Sequence, residues 1–157
     1  MRILLDTCIF LWLITNDKRL ATTALSIIKD TGNSLFLSPI SVWEILVKRE
    51  MNKVALPENA IDFLAAQRAL HGINSLPVEE FSVGPVQNMV SPPAYITAKG
   101  KPHNDPFDRL IMSQAMSHNM KLFTADFAIS LYPAPLEVIY TRDLNPPSAL
   151  PAVDQAR

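Results

Sequence analysis

The chain of 157 residues contains a single cysteine, Cys8. One thiol excludes an internal disulfide and a thiolate metal cage, and it suits a reducing cytoplasm. Cys8 sits among Ile9, Phe10, Leu11 and Trp12, so a small buried hydrophobe is expected there rather than a catalytic thiol. Net charge is also scarce: 14 Lys and Arg against 15 Asp and Glu leave −1, with no global pull toward nucleic acid or membrane. Long apolar runs are missing as well. Arg2 followed by ILLDTCIFLWLIT loosely resembles a leader peptide, but Asp6 interrupts it, and the remainder is too short to span a bilayer. A cytoplasmic protein is expected, beginning with a buried strand and a buried helix.

What the chain does have is core-forming material. Hydrophobic residues make up 48% and charged residues 18%, the balance of a globular chain, and the length suits one domain. Short apolar runs at 2–5, 35–37, 73–78, 122–123 and 136–140 read as strands. Helical patterns lie between them, at 8–13, before Lys29, from Pro39 to about Asn52, before Gly72, and from Pro106 to about His118. Ser38-Pro39 and Asp105-Pro106 are strong helix starts, each an N-cap residue followed by proline in the first turn. Residues 79–90 are weakly helical and disturbed by Gly84-Pro85, and 91–104 read as a loop. This alternation predicts an α/β fold with a mainly parallel sheet and helices on both faces. The domain is expected over 1–142, with 143–157 a proline-rich, loosely ordered tail.

The acids fall in a pattern. Asp6 ends the first strand, Glu44 lies about two turns into the helix after the second, and Asp126 follows the strand at 122–123. Asp105 and Asp108 open the helix that leads into that strand. Singly, most have ordinary explanations: Asp105 as an N-cap, Asp108 as a capping-box acid, Asp126 as a turn cap, Glu44 as an exposed helix residue. Asp6 does not, because a buried carboxylate without partners is expensive. Carboxyl ends of parallel strands share one edge, where ligands bind. Several acids gathered there would repel one another unless a cation sat among them, and all-oxygen donors suit Mg²⁺ or Mn²⁺. Setting aside Asp6, Glu44, Asp108 and Asp126 leaves 11 acids against 14 bases, a remainder of +3. Lys48, Arg49 and Lys53 then offer phosphate contacts, with a solvated helix face as the equal alternative.

The segments LLDT (4–7), SVWEI (41–45), HNDPFDRLIMSQA (103–115) and LFTAD (122–126) resemble the PIN-domain family, and more narrowly its VapC-type ribonuclease toxins. The resemblance implies a three-layer α/β/α fold and four metal-binding acids, carried over onto Asp6, Glu44, Asp108 and Asp126. It implies Mg²⁺- or Mn²⁺-dependent hydrolysis of RNA phosphodiesters to 5′-phosphate and 3′-hydroxyl ends. A cognate antitoxin and a homodimer are implied as partners. Asp105 becomes the N-cap with a supporting role, while Thr7, Ser41 and Thr124 flank the acids and can orient water or phosphate, with local backbone bonding as the equal alternative. His103, in the loop before the cap, is assigned a structural or surface role. Departures from the family pattern are a long loop before the 103–115 motif, Asn52 where glycine is usual, and the proline-rich tail. The competing functions are a PIN nuclease of RNA maturation or DNA processing, and a Mg²⁺-binding phospho-receiver. The receiver wants adjacent acids after the first strand, whereas Thr7 and Cys8 follow Asp6.

Overall fold

The computed structural model describes residues 1–92 and 102–141; the tail at 143–157 and most of the 91–104 loop lie outside the described residues. Five strands form one sheet: β1 (Arg2–Leu5), β2 (Ser34–Leu37), β3 (Ile73–Ser75), β4 (Lys121–Thr124) and β5 (Glu137–Tyr140). Their order is β3-β2-β1-β4-β5, and every pairing is parallel. In flavodoxin-like sheets, the arrangement a phospho-receiver uses, β1 lies between β2 and β3. Here it lies between β2 and β4, which removes the receiver reading.

The helices are α1 (Thr7–Ile14), α2 (Thr22–Lys29), α3 (Pro39–Glu50), α4 (Ala60–Leu70), α5 (Glu80–Val83), α6 (Pro106–Ser117) and α7 (Phe127–Ser130), with a 3-10 turn at Gly84–Asn88. β1 shows why the layers are three. Ile3 and Leu5 point into a core built with Ile9 and Phe10 of α1, Ile28 of α2 and Leu64 of α4. Leu4 points the other way, among Ile111, Met112 and Ala115 of α6. All three β1 side chains are fully buried, as expected of a central strand covered on both faces.

Two boundaries differ from the sequence reading. The strand expected over 73–78 ends at Ser75. Leu76 still donates to the Leu37 carbonyl at 3.0 Å, but Pro77 has no N–H with which to continue the ladder. Helix α7 was not expected; it is a single turn started by Asp126, whose Oδ1 accepts from the Ala128 N–H at 2.7 Å.

With only four glycines in the chain, asparagine takes over most of the left-handed helix ends. Asn16, Asn52 and Asn119 follow α1, α3 and α6 with φ of 51°, 56° and 49°, and Gly72 follows α4 with φ of 63°. This accounts for Asn52 at a position where glycine is usual: the backbone is left-handed, and asparagine tolerates that region better than most residues. Asn52→Gly is therefore expected to keep the fold and raise stability by up to about 1 kcal/mol, read from the urea midpoint at unchanged slope.

The two proline-led starts form as the sequence indicates. Ser38 Oγ accepts from the Ile40 N–H at 3.1 Å, and Asp105 Oδ1 accepts from Phe107 N at 2.9 Å and Asp108 N at 3.3 Å. Asp105→Ala should cost about 1 kcal/mol in chemical unfolding through the lost cap. Its effect on cleavage should be far smaller than that of Asp108→Ala. The reverse ranking would mean that the two acids have exchanged roles.

Candidate functional site

After β3 the chain crosses back so that β4 lies on the other side of β1 from β2. The carboxyl ends of β1 and β4 thus flank the point where strand order reverses, the usual place for a crevice in an open parallel sheet. Asp6 leaves β1 there. It occupies the N-cap position of α1, yet its side chain makes no capping bond. Instead Oδ2 accepts from Thr124 Oγ1 and, at 3.4 Å, from Cys8 Sγ. The residue is only 6% exposed. Burial pushes its carboxyl up to about 6; the Thr124 hydrogen bond opposes this, and repulsion from Asp108 and Glu44 adds to it.

Glu44 reaches the crevice from the second turn of α3. Oε2 accepts from Thr7 Oγ1 at 2.5 Å, and Oε1 meets Lys48 Nζ, one turn further on, at 2.5 Å. Asp108, in the first turn of α6, places Oδ2 3.0 Å from His103 Nε2. Burial raises its carboxyl above the ordinary range; the His103 bond opposes this, while Asp105 and Asp126 add repulsion. Asp126 is exposed at the end of β4, its N–H donating to Thr124 Oγ1 at 3.0 Å. Thr124 therefore ties two of the acids to one strand end: its hydroxyl donates to Asp6 and accepts from the Asp126 backbone.

The electrostatic coupling runs through the set, Asp6 with Glu44 and Asp108, and Asp108 with Asp126. His103, Asp108 and Asp126 each present a ligand atom within 4.8 Å of the others, close enough to share one metal ion. Asp6 and Glu44 stand outside that tighter group, their oxygens engaged by Thr124 and Cys8, and by Thr7 and Lys48.

Residues 3–134 match the family model for the PIN domain. The chain belongs to the PIN-domain family. Among solved structures it is similar to VapBC-1 from nontypeable Haemophilus influenzae, with TM-score 0.62 and 20% identity over 91% of this chain and 100% of that one. It is also similar to VapBC2 from Rickettsia felis bound to a DNA fragment from its promoter (TM-score 0.59, 17% identity, 89% and 98% covered). DNA-bound VapBC from Salmonella typhimurium aligns at TM-score 0.59 and 18% identity, again over 89% and 98%. At these identities the likeness is one of fold. A comparison with curated proteins finds no match.

In this PIN domain the flanking hydroxyls divide. Thr7 and Thr124 each bond an acid, whereas Ser41 Oγ is buried with no hydrogen-bond partner among the described residues. Of the basic residues expected near phosphate, Lys48 is bound to Glu44, Arg49 is half-buried and Lys53 is exposed. Cys8 is half-buried, and burial together with Asp6 pushes its thiol up, which leaves it protonated and unsuited to nucleophilic work.

Sequence reasoning left two contributors out of the site. His103 is folded against Asp108 instead of standing clear of it, and Tyr132 holds it there. The Tyr132 hydroxyl donates to the His103 carbonyl at 2.8 Å, so at 3.0 Å it can only accept from His103 Nδ1. That leaves Nε2 facing Asp108, and the hydrogen bond to Asp108 raises the His103 pKa above its ordinary value. The only signal for His103 was its place two residues before Asp105, and Tyr132 had none. No described helix is long and apolar enough to cross a membrane.

Proposed function

We propose that this PIN domain is the toxin of a toxin–antitoxin pair, a VapC-type endoribonuclease of the cytoplasm. It hydrolyses RNA phosphodiesters to 5′-phosphate and 3′-hydroxyl ends with Mg²⁺ or Mn²⁺. The observation that carries this reading is the placement of Asp6 at the end of β1, Asp126 after β4, Glu44 in the second turn of α3 and Asp108 in the first turn of α6, with Asp6 repelled by Asp108 and Glu44, and Asp108 by Asp126. The VapBC structures named above are toxin–antitoxin complexes, which supports an antitoxin partner for this chain. A homodimer is the expected assembly.

The donor set fits a hard divalent cation. Asp6 is repelled by Asp108 and Glu44, and Asp108 by Asp126; a positive centre would relieve these pairs, and oxygen donors are what Mg²⁺ and Mn²⁺ prefer. Asp6, Glu44, Asp108 and Asp126 would hold it. Bound there, the cation supplies Lewis-acid charge for the phosphate and lowers the pKa of a water.

The chain's own residues do the positioning. Thr124 fixes the rotamer of Asp6, Thr7 that of Glu44, and the Tyr132–His103 pair that of Asp108. Outer partners of this kind orient ligands and keep them basic. Lys48 neutralises Glu44 and must leave Oε1 before that oxygen can serve as a ligand.

The test is induced expression followed by mapping of 5′-phosphate RNA ends, beside an Asp6→Ala control. New ends that appear with wild type and vanish in the control support the proposal. Identical end maps for the two would remove it.

A further inference from the structure

Two exposed aromatic side chains directly adjoin site acids in the chain and take no part in the positioning scheme above. Trp43 is 48% exposed, although a tryptophan ring is the most rewarding side chain to bury. One of its neighbours is Phe107, with ring centroids 4.7 Å apart and planes tilted by 35°. The pair bridges the N-terminal halves of α3 and α6. Trp43 immediately precedes Glu44, and Phe107 immediately precedes Asp108. The rings therefore lie beside the two helices that deliver those acids. On the other side of β1 in the sheet order, Phe127 immediately follows Asp126, is 40% exposed and faces Tyr140 at 6.1 Å. Three of the four acids thus have an aromatic side chain as a sequence neighbour.

We propose that Trp43, backed by Phe107, is a stacking platform for a base next to the scissile phosphate, and that it confines the enzyme to unpaired nucleotides. The inference rests on the nuclease reading above. A phosphate drawn to the acids carries its own base within reach of the surrounding rim. Every base has a π-face, so aromatic platforms grip single strands with little sequence preference. Bases in a duplex are already stacked on both faces and cannot offer one. Phe107 supports one part of the Trp43 ring and leaves the rest open, the arrangement a stacking partner needs. A protein partner that silences the site would also be drawn to exposed aromatic rings beside the acids, and the measurements below separate it from a base.

The test compares wild type, Trp43→Ala and Trp43→Phe on a single-stranded oligoribonucleotide with saturating Mn²⁺. Trp43→Ala should raise KM about tenfold with kcat nearly unchanged, and Trp43→Phe should recover most of the loss. The chain has two tryptophans, so a Trp12→Phe background leaves Trp43 as the sole indole. In that background, with Asp6→Asn added to block cleavage, single-stranded RNA should quench Trp43 emission and a duplex of the same sequence should not. An unchanged KM in Trp43→Ala overturns the inference, as does equal quenching by duplex. Loss of dimer or antitoxin binding with KM unchanged would assign the rings to a protein interface instead. If wild type cleaves RNA and Trp43→Ala matches it, this inference falls alone; if wild type cleaves no RNA, the nuclease reading falls first and takes this one with it.

Discussion

Asp6→Asn is expected to abolish RNA cleavage and, in protein stripped of divalent metal with EDTA, to raise the melting temperature. The two effects have one cause. Asp6 is buried, and burial pushes its carboxyl from 3.8 up to about 6, so the ionised form strains the folded protein. A rise of that size costs the ionised folded state on the order of 3 kcal/mol. Asparagine keeps the shape and an oxygen that can accept from Thr124, but removes the charge. Relief of even half that cost should lift the melting temperature by roughly 3–10 °C. Activity should fall by more than about 100-fold, since on the proposed function a ligand is lost rather than one of its outer partners.

The pH dependence follows from the same shift. A carboxyl whose folded pKa is raised stabilises the fold fully below about 4 and loses that contribution as pH rises through about 6. Asp108 is raised in the same direction, and His103, raised by its bond to Asp108, also loses its contribution as pH rises. All three signs agree. The chelated wild type should melt lower at pH 7.5 than at pH 5, and Asp6→Asn should flatten that slope. Mn²⁺ should raise the wild-type melting temperature by mass action and leave Asp6→Asn nearly unmoved. A wild type that grows more stable with pH under chelation, together with an Asp6→Asn variant that melts lower, would contradict this account.

The second large effect concerns a residue that the sequence reading gave no role. Gln114 is fully buried on α6, and its amide joins three parts of the fold. Oε1 accepts from Ser38 Oγ at 2.6 Å, while Nε2 donates to the carbonyls of Pro77 at 3.0 Å and Leu76 at 3.4 Å. Ser38 is itself the cap of α3, the helix that carries Glu44. Gln114→Leu preserves volume but leaves the Ser38 hydroxyl and the Leu76 carbonyl buried without this partner, and the part-buried Pro77 carbonyl as well. A loss of about 2–4 kcal/mol is expected, larger than for a surface glutamine by several-fold. Equilibrium unfolding in urea measures it. Cleavage by the surviving folded fraction should fall only modestly, through a loosened α3, because no acid has been removed.

Legibility in the sequence followed the range of the interactions concerned. Ser38-Pro39 and Asp105-Pro106 started helices because capping is settled within three residues, and both caps form. The unbroken apolar run Ile3-Leu4-Leu5 marked β1 as a central strand by the same local logic, and both of its faces are covered. By contrast, α7 was invisible because one turn carries no periodic pattern, only the cap at Asp126. Lys48 read as a free base, yet an i,i+4 approach to Glu44 was available on the same helix face and is made. His103 and Tyr132 are 29 residues apart, and only the packing of the segment before α6 against the chain after α7 brings them together. Gln114 lies 76 residues from Ser38, and its side chain gives no local hint of three buried partners.

The sequence by itself determined the α/β fold class and the two proline-led helix starts, since each depends on residue type, short spacing or hydrophobic period, and its likeness to the PIN-domain family supplied the candidate acids. It also excluded an internal disulfide and a thiolate metal cage, because the chain has one cysteine. Only the tertiary structure decided which strand ends meet at the crevice, that Thr124 serves two acids, and that His103 faces Asp108. Strand order and long-range hydrogen bonds arise from packing the whole sheet between its two layers. No window of the chain a few residues long contains that information.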